Sequence, residues 1–101
     1  MPITPLTIHK NTLPTTLGTL FTVPASTTYI VKSIYLVNTS YSIVWVTLRH
    51  SGIHLLADYA LPEQASTVFE SSVVMEAGTT LEGVGSILGV VDIQVLGVSI
   101  A

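Results

Sequence analysis

The stretch RHSGIHLLADY, Arg49 to Tyr59, gathers more groups capable of chemistry than any other part of the chain. It holds two of the three histidines, one of the three basic residues and an aspartate. Spaced four apart, His50 and His54 would share one face of a helix and could hold a metal ion there. Between them, however, Ser51-Gly52 is turn chemistry, and the flanking residues alternate as strands do. A hairpin is therefore expected. Its two imidazoles could still meet across the strands, but a third ligand would have to come from Asp58 or a distant carboxylate. Cysteine, the usual ligand of structural zinc, is absent. The expectation is an ordinary hairpin with exposed or rim histidines and no metal, His50 and His54 being the residues a metal site would need.

Catalytic constellations are no better supplied. No G-x-S-x-G elbow marks a serine nucleophile. Glu63, Glu70, Glu76 and Glu82 lie on or beside predicted turns, where carboxylates are normally solvated. The GVGS run at Gly83 to Ser86 lacks the G-K-[ST] ending of a phosphate loop, and no helix follows it. Neither an enzyme nor a cofactor is expected. The aromatic residues Trp45, Tyr29, Tyr35, Tyr41 and Tyr59 admit two uses, stacking on sugar faces or packing in the core and at subunit contacts. Trp45 shares its strand face with Arg49, which makes it a candidate for an interface. Trp45, Arg49, Tyr29 and Tyr41 are the expected interaction residues.

The elements that must position these groups are strands. Thr28 to Asn38, TYIVKSIYLVN, alternates with Ile30, Lys32, Ile34 and Leu36 on one face and Tyr29, Val31, Ser33, Tyr35 and Val37 on the other. NTSYS turns, and Ile43 to Arg49 extends with Val44, Val46 and Leu48 opposite Trp45. After HSG come IHLLADYA, a turn around Pro62, a strand over Thr67 to Val74, a tight turn at EAG, a short strand over Thr80 to Val84, and a last strand over Val90 to Ile100. Gly97 inside that last strand predicts a bulge or a close backbone approach. With FTVP at Phe21 to Pro24 there are about seven or eight short strands and no sustained helical period. That pattern predicts an all-β, single-domain antiparallel β-sandwich of jelly-roll or Greek-key kind over residues 17–101. The Pro- and Thr-rich residues 1–16 are expected to form an extended arm. VPASTTYIV and LPEQASTVF share an order of apolar residue, Pro, small polar residues and Thr. The echo reads as repeated turn chemistry in preference to two equivalent hairpins.

Composition narrows the function classes. Of 101 residues 9% are charged and 49% hydrophobic, where about a quarter charged is typical. A small domain has much surface for its volume, so part of that surface is expected to be covered by neighbours. A membrane-spanning helix is not expected, because the most apolar stretch, Ser86 to Ala101, is broken by Asp92 and Gln94. No secretory leader is expected at the N-terminus. Lys10, Lys32 and Arg49 are the only cations against a net charge of −3, too few and too scattered for nucleic acid.

Three stretches carry a family likeness. VPASTTYIVKSIYLVNTS, LPEQASTVFESSVVMEAGTTLEGVGS and VDIQVLGVSIA together resemble small β-sandwich virion proteins of tailed bacteriophages. Thr79 departs from that pattern, where an Asp is common, and so does the short HSG connection. The resemblance implies a non-enzymatic capsid decoration (cement) protein, or else a tail or fibre component; a lectin-like host-surface binder on the same fold, using Trp45, is the separate alternative that the aromatic residues raise. The resemblance also implies assembly into virions in a host cytoplasm. The partners expected are copies of itself, as a homotrimer or another cyclic oligomer, and the major capsid protein or tail proteins.

Overall fold

The computed structural model describes residues 3–87 and 89–100, with the side chains of Ile3 and Ser71 set aside. They form eight strands and no helix: β1 Ile3–Thr12, β2 Gly18–Thr22, β3 Thr28–Asn38, β4 Val44–His50, β5 Ile53–Leu61, β6 Ser66–Met75, β7 Thr80–Gly85 and β8 Val91–Ile100. All pairings are antiparallel. Two four-stranded sheets result, sheet A in the order β1-β8-β3-β6 and sheet B in the order β2-β7-β4-β5. Each strand pairs with the one equally far from the opposite chain end: β1 with β8, β2 with β7, β3 with β6, β4 with β5. That nesting is the jelly roll, the more specific form of the sandwich expected from the sequence.

Strand alternation builds the core between the sheets. Val44, Val46 and Leu48 of β4 and Leu81 of β7 point inward from sheet B, and Val31, Ile34, Leu36, Val91, Ile93 and Val95 from sheet A, all buried. Gly83 and Gly85 also lie on the inner face of β7, where their missing side chains leave room for Leu13, Leu20, Leu48 and Val44. The two glycines of the GVGS run thus serve packing within a strand.

Two expectations need correcting. The extended arm over residues 1–16 is instead, from residue 3, the edge strand β1, paired with β8 from Ile3↔Ile100 to Thr12↔Asp92 with a register shift between Thr7 and His9. Proline is tolerated there because one side of an edge strand has no ladder to donate to. Leu13 then enters the core at 1% exposure, and its N–H donates to the Val91 carbonyl at 2.9 Å. Residues 1 and 2 lie outside the described ones. The second correction concerns β3, where Val31 and Ile34 both point inward. A bulge lies between Val31 and Ser33, so Val31 pairs with Gly97 and Ser33 with Leu96. The extra residue, Lys32, shifts the alternation by one. Gly97 is required at this spot, since a Cβ there would collide with the Ile30 carbonyl oxygen.

Candidate interaction surface

RHSGIHLLADY forms the β4–β5 hairpin. Ser51 (φ 47°) and Gly52 (φ 90°) both have left-handed backbones, the two-residue turn whose twist suits a hairpin. The register pairs Arg49 with His54 and His50 with Ile53. The two imidazoles therefore do not meet, contrary to what a metal site would need. His50 is half-buried with its Nε2 away from solvent, whereas His54 is exposed beside Arg49. Among the described residues no cluster of three His, Cys, Asp or Glu could hold a metal ion.

What the hairpin does assemble is the outer face of sheet B. Trp45 is 52% exposed there, opposite Ala60 of β5. One step along β4, the Thr47 hydroxyl donates to Asp58 Oδ1 at 3.4 Å and accepts from the Asp58 N–H at 3.1 Å. Asp58 has a left-handed backbone (φ 46°), which sets it at an irregularity in the β4–β5 ladder. A further step along, Arg49 Nη2 lies 3.3 Å from Glu82 Oε1 of β7. The same carboxylate accepts the Gly52 N–H at 3.1 Å, tying the hairpin turn to the sheet. Beyond Trp45 in the other direction, Ile43 (54%) and Tyr41 (83%) continue the exposed apolar strip into the β3–β4 loop.

Buried Asn38 holds that loop. Its Nδ2 donates to the carbonyls of Ser42 (2.8 Å), Leu61 (3.1 Å) and Pro62 (3.1 Å). Its Oδ1 accepts from the N–H (2.9 Å) and hydroxyl (2.7 Å) of Ser40. One side chain thus fastens the β3–β4 loop to the β5–β6 crossover. Sequence reading missed this role, although an Asn ending a strand before Thr-Ser is a recognisable signal. Tyr29 differs from the other expected interaction residues in its surroundings. It packs half-buried against the core, its ring 6.1 Å from that of Phe21. Trp45 and Tyr41 are exposed, and Arg49 is half-buried beside Glu82.

The outer face of sheet A forms a second exposed surface. Tyr35, Val37, Val68 and Val74 are 36–49% exposed on β3 and β6. Reading across β1, β8, β3 and β6, one row runs Lys10, Gln94, Tyr35, Val68 and another Thr7, Leu96, Ser33, Glu70. A third runs Pro5, Val98, Ile30, Val74. Two cations and two anions lie on this face, Lys10 and Lys32 with Glu70 and Asp92. None of them forms an ion pair among the described residues, Arg49–Glu82 being the one such pair.

Between the open edges of β5 and β6 runs an apolar groove of about 370 Å³, lined by Leu55, Leu56, Phe69 and Val73 among others, with Glu70 at its lip. Burial holds the pKa of His9 below its ordinary value. Comparison with protein-family models, with curated proteins and with solved structures found no match.

Proposed function

We propose that the chain is a non-enzymatic structural protein of a tailed-bacteriophage particle. In this reading it is a capsid decoration subunit that binds copies of itself and the major capsid protein. The observation that carries the reading is the exposure, among the described residues, of nine large hydrophobic side chains, from Val37 at 36% to Tyr41 at 83%. They sit on a chain with nine charged residues in all. Apolar surface of this extent, much of it on or beside the outer faces of the two sheets, is what subunit contacts use. The motif likeness in Val23 to Ser40, Leu61 to Ser86 and Val91 to Ala101 supplies the virion context. The jelly roll suits it as a fold that recurs in capsid domains, although fold alone assigns no function.

The strip Tyr41, Ile43, Trp45 is the surface for the shell, since exposed Trp and Tyr dominate binding energy at interfaces. The test is co-sedimentation of the purified chain with particles stripped of it. Trp45→Ala should leave folding unchanged and lower occupancy at least tenfold, a loss of roughly 1.4 kcal/mol or more. Equal occupancy by wild type and variant would count against the reading.

A second reading, a lectin-like host-surface module of a tail or fibre, draws on one feature. The Trp45 indole stands beside the Thr47–Asp58 pair, an aromatic plane next to hydroxyl and carboxylate groups able to bond a sugar. A host-surface glycan array separates the two. Saturable binding lost in Trp45→Ala supports the lectin, and no binding across the array removes it.

A further inference from the structure

We infer that the outer face of sheet A is a two-fold interface between two copies of this chain, closed by reciprocal Lys10–Glu70 ion pairs. The inference rests on the reading of the protein as an assembling subunit and names the surface by which it meets itself. Three observations carry it: the size of the face, the balance of its charges and their positions in the register.

The face spans four strands of up to ten or eleven residues. At about 4.8 Å between strands and about 3.4 Å per residue this gives roughly 650 Å² per copy, or roughly 1,300 Å² for a pair. A stable interface of standard size buries about 1,200–2,000 Å². One face therefore suffices for a dimer.

Charge selects the arrangement. A two-fold axis lying in the interface along the strands sets β1 over the partner's β6 and keeps each row over its own copy. Lys10 of β1 then faces the partner's β6 one row from Glu70, within reach across sheets packed about 10 Å apart. The same operation lays Tyr35 on the partner's Gln94 and Val74 on the partner's Pro5. A two-fold axis across the strands would instead set Glu70 near its own copy, like charge on like charge. An isologous contact repeats every pair twice, so the chosen axis forms two ion pairs and the rejected one opposes two carboxylates.

The experiment is sedimentation equilibrium of the full chain, wild type against Lys10→Glu, Glu70→Lys and the double exchange. Both positions are exposed, and thermal melts check that each variant keeps the fold. The wild type should dimerise reversibly, each single exchange should weaken dimerisation at least tenfold, and the double exchange should restore it to within about threefold. Tyr35→Lys, at the centre of the face, should give a monomer. An oligomer whose affinity ignores all these changes overturns the interface. So does a wild type that stays monomeric at roughly 100 µM. Either failure leaves shell attachment to be read separately by the Trp45 co-sedimentation.

Discussion

Asn38 offers the sharpest test of how the fold presents its surface. The residue is fully buried, and its amide has two hydrogens for three carbonyl acceptors within 3.1 Å. Asn38→Ala removes the donor to the Leu61 carbonyl, whose bond is buried, and the anchors of Ser40 and Ser42. One buried carbonyl left unsatisfied costs about 1–3 kcal/mol, and the partly wet partners add about 1 kcal/mol. The expected loss is about 2–4 kcal/mol. For a domain of this length that lowers Tm by roughly 10–25 °C. Asn38→Asp discriminates further. It keeps an acceptor for Ser40 but replaces the donor by a second oxygen facing three carbonyls, so at neutral pH it should be at least as damaging as Ala. Urea melts followed by Trp45 fluorescence measure both. An Asp variant as stable as wild type would show that Asn38 does not clamp these loops, and the account of how Tyr41 and Ile43 are held would fall.

Other perturbations have definite outcomes. Gly97→Ala places a methyl against the Ile30 carbonyl at the centre of sheet A and should cost roughly 3 kcal/mol or more, or prevent folding; a calorimetric scan matching wild type would contradict the bulge geometry. His9, half-buried with its ring centroid 5.7 Å from that of Phe21, has its pKa lowered from 6.5 by burial. Folding therefore favours the neutral imidazole. The stability this supplies is complete above pH 6.5 and is lost as pH falls below it through the lower folded value. His9→Phe should flatten this part of a Tm-against-pH curve, and an unchanged slope would refute the assignment. Zinc should leave the Tm of the wild type unmoved, because the register pairs His50 and His54 with different residues; a rise abolished by His50→Ala would overturn that.

The sequence was most legible where one strand face is buried. Val44, Val46 and Leu48 could be assigned to the core and Trp45 to the surface from alternation alone, because a period of two leaves no other choice. Alternation failed at Lys32, since the bulge that shifts β3 is set by its neighbour on β8. Gly97 was the visible half of that pair. The Pro-rich start was misread because propensity disfavours Pro in strands, yet an unpaired sheet edge accepts it.

The echo between VPASTTYIV and LPEQASTVF has a conformational basis. Ser26 (φ 61°) and Gln64 (φ 54°) each lie two residues after a proline and are left-handed. Both turns carry the chain from sheet B to sheet A, so they are equivalent crossovers and not hairpins. The hairpin at Ser51-Gly52 was readable from residue type. The facing of its histidines was not, since that depends on register. Asp58 and Glu82 join Arg49 on one face only through strand pairing, which no local pattern reports.

On the proposed reading, this sparsely charged, partly apolar exterior exists to be covered in a particle. The decisive measurement is a reconstruction by electron microscopy of the particles produced with this chain, backed by mass spectrometry of their protein content. Many copies per shell are expected, each a jelly roll with the Tyr41–Trp45 strip against the shell and the outer face of sheet A against a second copy. Particles that lack the polypeptide, or that carry it with both faces open to solvent, would contradict that reading.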